Sequence, residues 1–120
     1  MRTILNPDDI HPKIKDEVAN FQSEIVQEVT RTVANNRVVV VGMRYNPAVS
    51  KARDALTDSG IEFVYLEYGS YTSDWHRRLA LKMWTGWPTF PMIFVNQKLV
   101  GGRKDLLALL TEDKTLGAEE

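Results

Sequence analysis

The 120-residue sequence contains no cysteine and only two histidines. Without a thiol the chain cannot form a disulfide, use a cysteine nucleophile, or bind zinc or an iron–sulfur cluster through thiolates. Two histidines also leave little for a histidine-rich metal site or a Ser-His-Asp triad. The composition therefore excludes thiol chemistry and makes a metal-dependent or triad-based enzyme unexpected.

A charge excess and a long apolar run are also absent. Fifteen Lys and Arg residues against sixteen Asp and Glu residues give a net charge of −1, whereas nucleic-acid-binding chains usually carry a basic excess. The longest apolar run is four valines at 38–41, far shorter than a membrane span, and the polar N-terminus does not resemble a signal peptide. We expect one domain in the cytoplasm that binds neither nucleic acid nor membrane.

The apolar pattern predicts a helix followed by alternating strands and helices. One apolar stripe recurs every three or four residues and predicts an amphipathic helix over about residues 13–34: Ile14, Val18, Phe21, Ile25, Val29 and Val33. This stripe either packs against the sheet of its own chain or forms a dimer face. Strands are predicted at 37–42, 61–67, 92–95 and 98–100, and further helices at 47–59, 74–84 and 103–110. The first two strands should be parallel. The last two should be antiparallel and joined by a tight turn at Asn96 and Gln97.

Local signals predict where several helices begin. Asn46 followed by Pro47 is typical of a helix start, because Asn caps the first turn and proline at the first position loses no hydrogen bond. Asn6 and Pro7 predict a short turn in the same way. Thr72 or Ser73 is expected to cap the helix over 74–84.

Four segments resemble the glutaredoxins, a family with the thioredoxin fold. Residues 38–49, VVVVGMRYNPAV, resemble the family's strand followed by Cys-Pro-Tyr-Cys. Residues 87–91, WPTFP, resemble its Thr-Val-Pro turn, whose proline is cis. Residues 93–102 resemble its Ile-Phe-Ile-Asn-Gly-x-x-Ile-Gly-Gly hairpin, and 103–109 resemble its Cys-Asp-Asp-Leu helix. The Trp-Pro-Thr sequence is most similar to the monothiol branch.

This resemblance implies an α/β, thioredoxin-like fold with a four-stranded mixed sheet flanked by helices and an extra N-terminal amphipathic helix. It divides the chain into three parts. Residues 1–36 are the lead-in and the amphipathic helix packed on the domain, residues 37–111 are the glutaredoxin-like domain, and residues 112–120 are a polar tail.

The two reactive cysteines of the family are replaced by Asn46 and Val49. In the family, the first cysteine lies at a helix N-terminus, where its thiolate is stabilised and attacks a glutathione mixed disulfide. An asparagine amide cannot do this, and it cannot ligate the iron–sulfur cluster that monothiol relatives share between two subunits. The resemblance therefore predicts a redox-inactive protein with no catalytic residue, no metal, no iron–sulfur cluster and no required cofactor.

The glutathione-binding positions of the family are better matched. In relatives, the loop before the cis-proline bonds the cysteinyl part of glutathione through its backbone, and the Gly-Gly turn and following helix start hold the γ-glutamyl carboxylate. Lys104 stands at the first of two family acids, Asp105 keeps the second, and Met43 stands at a family lysine. The cationic residues of this groove favour an anion. The ligand-binding residues implied are Arg44, Tyr45, Asn46, Thr89, Phe90, Pro91, Gly102, Arg103, Lys104 and Asp105.

Three functions follow as hypotheses. The leading one is binding of glutathione, another small anion or an extended peptide in the groove beside the proline. The second is a protein-interaction or dimerisation module that uses the N-terminal helix. The third is a glutathione-dependent, transferase-like enzyme in which the Tyr45 hydroxyl stabilises a bound thiolate, as Tyr or Ser does in glutathione transferases.

Overall fold

The core of the molecule is built on a strand of valines, β1 (Val38–Gly42), whose residues are all buried. A computed structural model describes residues 2–114 and 116. Strand β1 pairs in parallel with β2 (Val64–Glu67) and antiparallel with β3 (Met92–Val95). Strand β3 also pairs antiparallel with β4 (Lys98–Gly101). The sheet order β2-β1-β3-β4 confirms the predicted four-stranded mixed sheet.

Helices cover both faces of this sheet. They are α1 (Lys15–Asn20), α2 (Ser23–Asn35), α3 (Pro47–Asp58), α4 (Trp75–Thr85) and α5 (Arg103–Glu112), preceded by 3-10 turns at Pro7–Asp9 and Pro12–Ile14. Val39 and Val41 belong to a core cluster with residues of α2 and α4. Val38 and Val40 belong to a second cluster with residues of α3 and α5. None of the helices within the described residues is long and apolar enough to span a membrane.

The predicted single helix over residues 13–34 is two helices, so that prediction is wrong. Gln22 adopts a left-handed conformation with φ +49° and separates α1 from α2. The stripe residues of α2 are buried, whereas Ile14, Val18 and Phe21 are 36–47% exposed. A break at one residue redirects the stripe without changing its spacing, and the periodic pattern therefore could not predict it.

The start of α4 also differs from the prediction. Its N-cap is Asp74, which has φ +59° and makes no side-chain cap bond. The hydroxyl of Ser73 accepts a hydrogen bond from the Ser70 N–H at 3.0 Å instead. The buried Arg78 guanidinium donates to the carbonyl oxygens of Tyr68, at 2.9 Å, and Ser73. Hydrogen bonds from Arg78, a residue within α4, therefore stabilise the turn before this helix in place of a Thr72 or Ser73 cap.

Other local predictions are confirmed. The Asn6 side chain accepts from the Asp8 N–H at 2.9 Å, and Asn96 and Gln97 form the β3–β4 turn with φ +50° and +66°. Positive φ at both central residues is the geometry of a tight hairpin. The predicted tail, residues 112–120, lies partly outside the described residues, and Leu116 within it is buried against the second cluster.

The neighbouring leucines Leu106 and Leu107 test the placement of α5. Leu106 is 0% exposed and Leu107 is 39% exposed. We expect Leu106→Ala to lower the free energy of unfolding by about 2–5 kcal/mol, because the cavity it leaves cannot collapse fully. Leu107→Ala, the control, should lower it by less than about 1 kcal/mol. Urea unfolding measures both, and equal losses would contradict the described orientation of α5.

Candidate functional site

A cavity of about 520 Å³ lies where the segment after β1, the loop before β3 and the N-terminus of α5 meet. Most of the residues implied by the sequence resemblance line it: Asn46, Thr89, Phe90, Pro91, Gly102, Arg103, Lys104 and Asp105. Residues outside that predicted ligand-binding set line it as well: Met43, Ala48, Tyr71, Lys82, Trp87 and Pro88. Arg44 and Tyr45 are not part of the lining. The fold therefore brings together most of the predicted set and adds a lysine and several aromatic or small side chains.

Asn46 caps α3, as predicted. Its side-chain oxygen accepts a hydrogen bond from the Val49 N–H at 3.1 Å, and Pro47 occupies the first helical position. The amide therefore stands where the resemblance places a reactive thiol, and its acceptor atom already bonds to the helix. Val49 is 2% exposed and packs so closely on Gly42 that a Cβ there would lie 2.7 Å from a Val49 methyl. The second family cysteine position is thus occupied by a core residue.

The loop before β3 holds the opposite wall of the cavity. The Phe90–Pro91 peptide bond is cis, both residues are buried, and Thr89 beside them is exposed. The Trp87 backbone N–H donates to the Thr85 hydroxyl at 3.1 Å. A Cβ built on Gly102 would lie 3.5 Å from the Pro91 carbonyl oxygen and 3.6 Å from the Trp87 indole nitrogen. These are ordinary van der Waals distances, so the start of α5 lies directly against this loop.

Asp105 is a helix cap. Its carboxylate accepts from the Gly102 N–H at 2.9 Å. Gly101 has φ +117°, and a Cβ there would lie 2.5 Å from the Asp105 carboxylate, so this position requires glycine. The carboxylate is directed to its own helix start, while the first-turn N–H groups have no acceptor within a helix. Those N–H groups can receive an anion.

Three cationic side chains, Lys82, Arg103 and Lys104, line the same cavity. The Lys82 ammonium lies 5.7 Å from the Phe90 ring centroid. The only ion pairs within residues 2–114 and 116 are Arg44–Glu67 and Arg77–Asp74, so none of the three cations has a carboxylate partner there. The one acid of the described lining is Asp105, which accepts the Gly102 N–H and keeps its charge. Three cations against one carboxylate give the described lining an excess of positive charge.

Arg44 and Tyr45 lie outside the cavity, which differs from the sequence expectation. Arg44 Nε donates to Glu67 at 3.2 Å, and the Tyr65 hydroxyl donates to the same carboxylate at 3.1 Å. Burial, followed by the bond to Glu67, raises the pKa of Tyr65 to about 12. Tyr45 is 77% exposed with φ +62°. The geometry gives no support to the hypothesis that the Tyr45 hydroxyl assists a thiol in the cavity.

Lys82 is the functional candidate that the sequence did not suggest. It lies four residues after the buried Arg78 and three before Thr85, whose hydroxyl accepts a hydrogen bond from the Trp87 backbone N–H. These spacings place the three polar side chains on one side of α4. That polar stripe was the sequence signal that could have identified Lys82. In the described residues, no group of three or more His, Cys, Asp or Glu side chains is arranged to hold a metal ion.

Known proteins with related sequences are glutaredoxins. The glutaredoxin family model matches residues 38–100. A glutaredoxin-like protein of Dictyostelium discoideum is 50% identical over 99 residues, which are 82% of this chain and 80% of that protein. Glutaredoxin-C6 of Oryza sativa subsp. japonica is 35% identical over 83 residues, covering 69% of this chain and 74% of that protein.

Solved glutaredoxin structures share the fold. Oxidized glutaredoxin 2 from Chlamydomonas reinhardtii superposes with a TM-score of 0.69 at 28% identity, covering 82% of this chain and 94% of that chain. The buckwheat glutaredoxin–glutathione complex superposes with a TM-score of 0.72 at 22% identity, covering 83% of this chain and 93% of that chain. Glutathione is present in that buckwheat structure.

A cysteine placed at residue 46 tests whether the α3 N-terminus can still activate a thiol. We expect the Asn46→Cys thiol to have a pKa at least about one unit below the ordinary value, because the helix dipole and first-turn N–H groups stabilise the thiolate. Ser50→Cys, an exposed thiol one turn further along α3, should titrate near about 8.5. The pH dependence of alkylation by iodoacetamide measures both. Equal pKa values would contradict an activating site.

Proposed function

This chain belongs to the glutaredoxin family, and from that premise we propose that it binds an anionic ligand beside Pro91 without carrying out thiol–disulfide exchange. The supporting observation is a cavity that combines three cationic side chains, none of them in an ion pair with another described residue, with an asparagine at the cysteine position. Lys82, Arg103 and Lys104 attract an anion, and the first turn of α5 offers backbone N–H groups to it.

Redox inactivity follows from chemistry rather than from shape. Disulfide exchange requires a thiolate that attacks sulfur, and the sequence contains no cysteine at any position. The Asn46 amide has no comparable nucleophile, and its oxygen bonds to the Val49 N–H. The proposed role is therefore a binding function on a redox scaffold, and it includes no iron–sulfur cluster. The cytoplasm is the compartment we propose for it.

Glutathione or an extended peptide is the ligand type that we propose for this cavity. The backbone of the loop before Pro91 can bond to an extended chain without requiring a particular side chain. Gly102, at the start of α5, packs against this loop. An extended chain bonded to the loop can therefore also place a carboxylate at the first turn of α5. The buckwheat glutaredoxin, which has the same fold, was crystallised with glutathione. Glutathione is therefore the first ligand to test.

A glutathione titration followed by two-dimensional NMR tests the binding proposal. At millimolar ligand we expect chemical-shift changes centred on residues that line the cavity, at 46, 48, 82, 87–91 and 102–105, with Lys82→Ala weakening binding by about fivefold. Lys98→Ala is the matched control, because Lys98 lies on β4 outside the cavity lining. The same protein should show no thiol–disulfide exchange above buffer. An absence of shifts at millimolar glutathione would contradict the proposed site.

We propose homodimerisation as a second candidate function, because an apolar groove remains open between α1 and α4. Ile14, Val18, Phe21, Leu79 and Met83 line it and are 36–53% exposed. A second copy presents the same two helix faces, so a two-fold arrangement could bury each α1 against the partner's α4. Helix α1 begins with the basic Lys15 followed by the acidic Asp16 and Glu17. That mixed charge suits pairing with an identical surface.

Sedimentation velocity tests this dimer. We expect a concentration-dependent dimer for the unsubstituted chain and a monomer for Val18→Asp, because a charge buried in an apolar interface is strongly unfavourable. Leu107→Asp introduces the same charge at another exposed apolar position, on α5, and should leave the dimer intact. A monomer at all concentrations, or equal loss in both variants, would count against this interface.

A further inference from the structure

The sides of the cavity differ in charge. The charged side chains of its described lining all come from α4 or from the start of α5: Lys82, Arg103, Lys104 and Asp105. The segment between β1 and α3 contributes Met43, Asn46 and Ala48 to the lining. It contributes no charge, because its one charged residue, Arg44, is directed to Glu67. The side of the cavity next to β1 and α3 is therefore uncharged.

Tyr71 extends this uncharged side. It lies in the loop between β2 and α4, lines the cavity and is 64% exposed. The Arg44 backbone N–H donates to the Gly69 carbonyl oxygen at 2.7 Å, so the loop that carries Tyr71 lies beside the segment that carries Met43. We refer to Met43, Ala48 and Tyr71 together as the apolar wall.

The order of the strands determines where the apolar wall lies relative to a bound chain. Strand β3 lies between β1 and β4, so the loop before β3 separates the end of β1 from the start of α5, which follows β4. Val41 pairs with Met92 and Ile93 with Gly101, so the three segments meet at one end of the sheet. A ligand that bonds to this loop and places a carboxylate at α5 therefore faces the apolar wall on its other side.

A small substituent leaves most of such a wall in contact with water. Each methylene group that a ligand removes from water strengthens binding by roughly fourfold. The cavity of about 520 Å³ is in the size range of sites that enclose drug-sized ligands. It can therefore receive an alkyl or aryl group beside the apolar wall while the carboxylate stays at the start of α5.

We propose that the site binds glutathione thioethers, in which an apolar group is attached to the sulfur, in preference to ligands with a small group there, and that the apolar wall determines this specificity. This inference rests on the proposed anion-binding function and specifies its ligand class. A thioether sulfur does not undergo thiol–disulfide exchange, so such a ligand suits a chain without cysteine.

Two thioethers that differ only in alkyl length test the preference. We expect S-hexylglutathione to bind the full chain about tenfold more tightly than S-methylglutathione, as measured by calorimetry. Rising salt should weaken the binding of both ligands, because it screens the same carboxylates. The ratio of the two affinities should persist, because apolar contacts are not screened.

Substitutions in the apolar wall assign the preference to its residues. Tyr71→Ser should reduce the affinity ratio to about threefold, because it removes the aromatic ring from the wall. Tyr45→Ser is the matched control and should leave the ratio unchanged, since Tyr45 is 77% exposed and lies outside the cavity lining. Met43→Gln is a second variant, which replaces an apolar side chain by a polar one of similar length, and it should also lower the ratio.

The outcomes separate this inference from the function on which it rests. Equal affinities for the two thioethers, or binding of glutathione alone, would show that the ligand class is wrong while anion binding stands. Equal loss of the ratio in Tyr71→Ser and Tyr45→Ser would contradict the apolar wall. Loss of the ratio in Val18→Asp would instead place the alkyl chain in the groove between α1 and α4. If none of the three ligands binds at millimolar concentration, the proposed function itself fails.

Discussion

Burial of β1 on both faces is the constraint on which the rest of the molecule depends. Residues 38–41 are at most 1% exposed, so helices must cover the sheet on each side. The register then pairs Val41, near the end of β1, with Met92 at the start of β3. Asn46 lies shortly after β1, and Pro91 lies directly before β3. The pairing that buries the valines therefore also assembles the cavity.

Both helix starts at this cavity are capped by side chains of their own helix region. The Asn46 amide satisfies a backbone N–H of α3, and the Asp105 carboxylate satisfies the N–H of Gly102, the residue before α5. Such caps stabilise the helix ends by about 1 kcal/mol each. Asp105 keeps its negative charge, but Lys82, Arg103 and Lys104 outnumber it in the described lining, so a ligand meets an excess of positive charge.

Local signals predicted the structure well wherever one or two residues decide the geometry. Asn46 with Pro47 and the tight turn at Asn96 are examples, since each depends on neighbours in the chain. The prediction at the start of α4 was wrong because Arg78, a residue from within the helix, stabilises the preceding turn. The continuous N-terminal helix was wrong because Gln22 breaks it without altering the apolar spacing.

The sequence by itself determined the cap at Asn46 and the absence of thiol chemistry, because these follow from neighbouring residues and from residue composition. It also determined the fold class, through the four segments that resemble the glutaredoxins. Only the tertiary structure decided which charges share the cavity. It directs Arg44 to Glu67 and adds Lys82 from a helix distant in sequence. The physical reason is that electrostatic interactions act through space, and the distances between residues far apart in the chain are set by packing of the helices on the sheet.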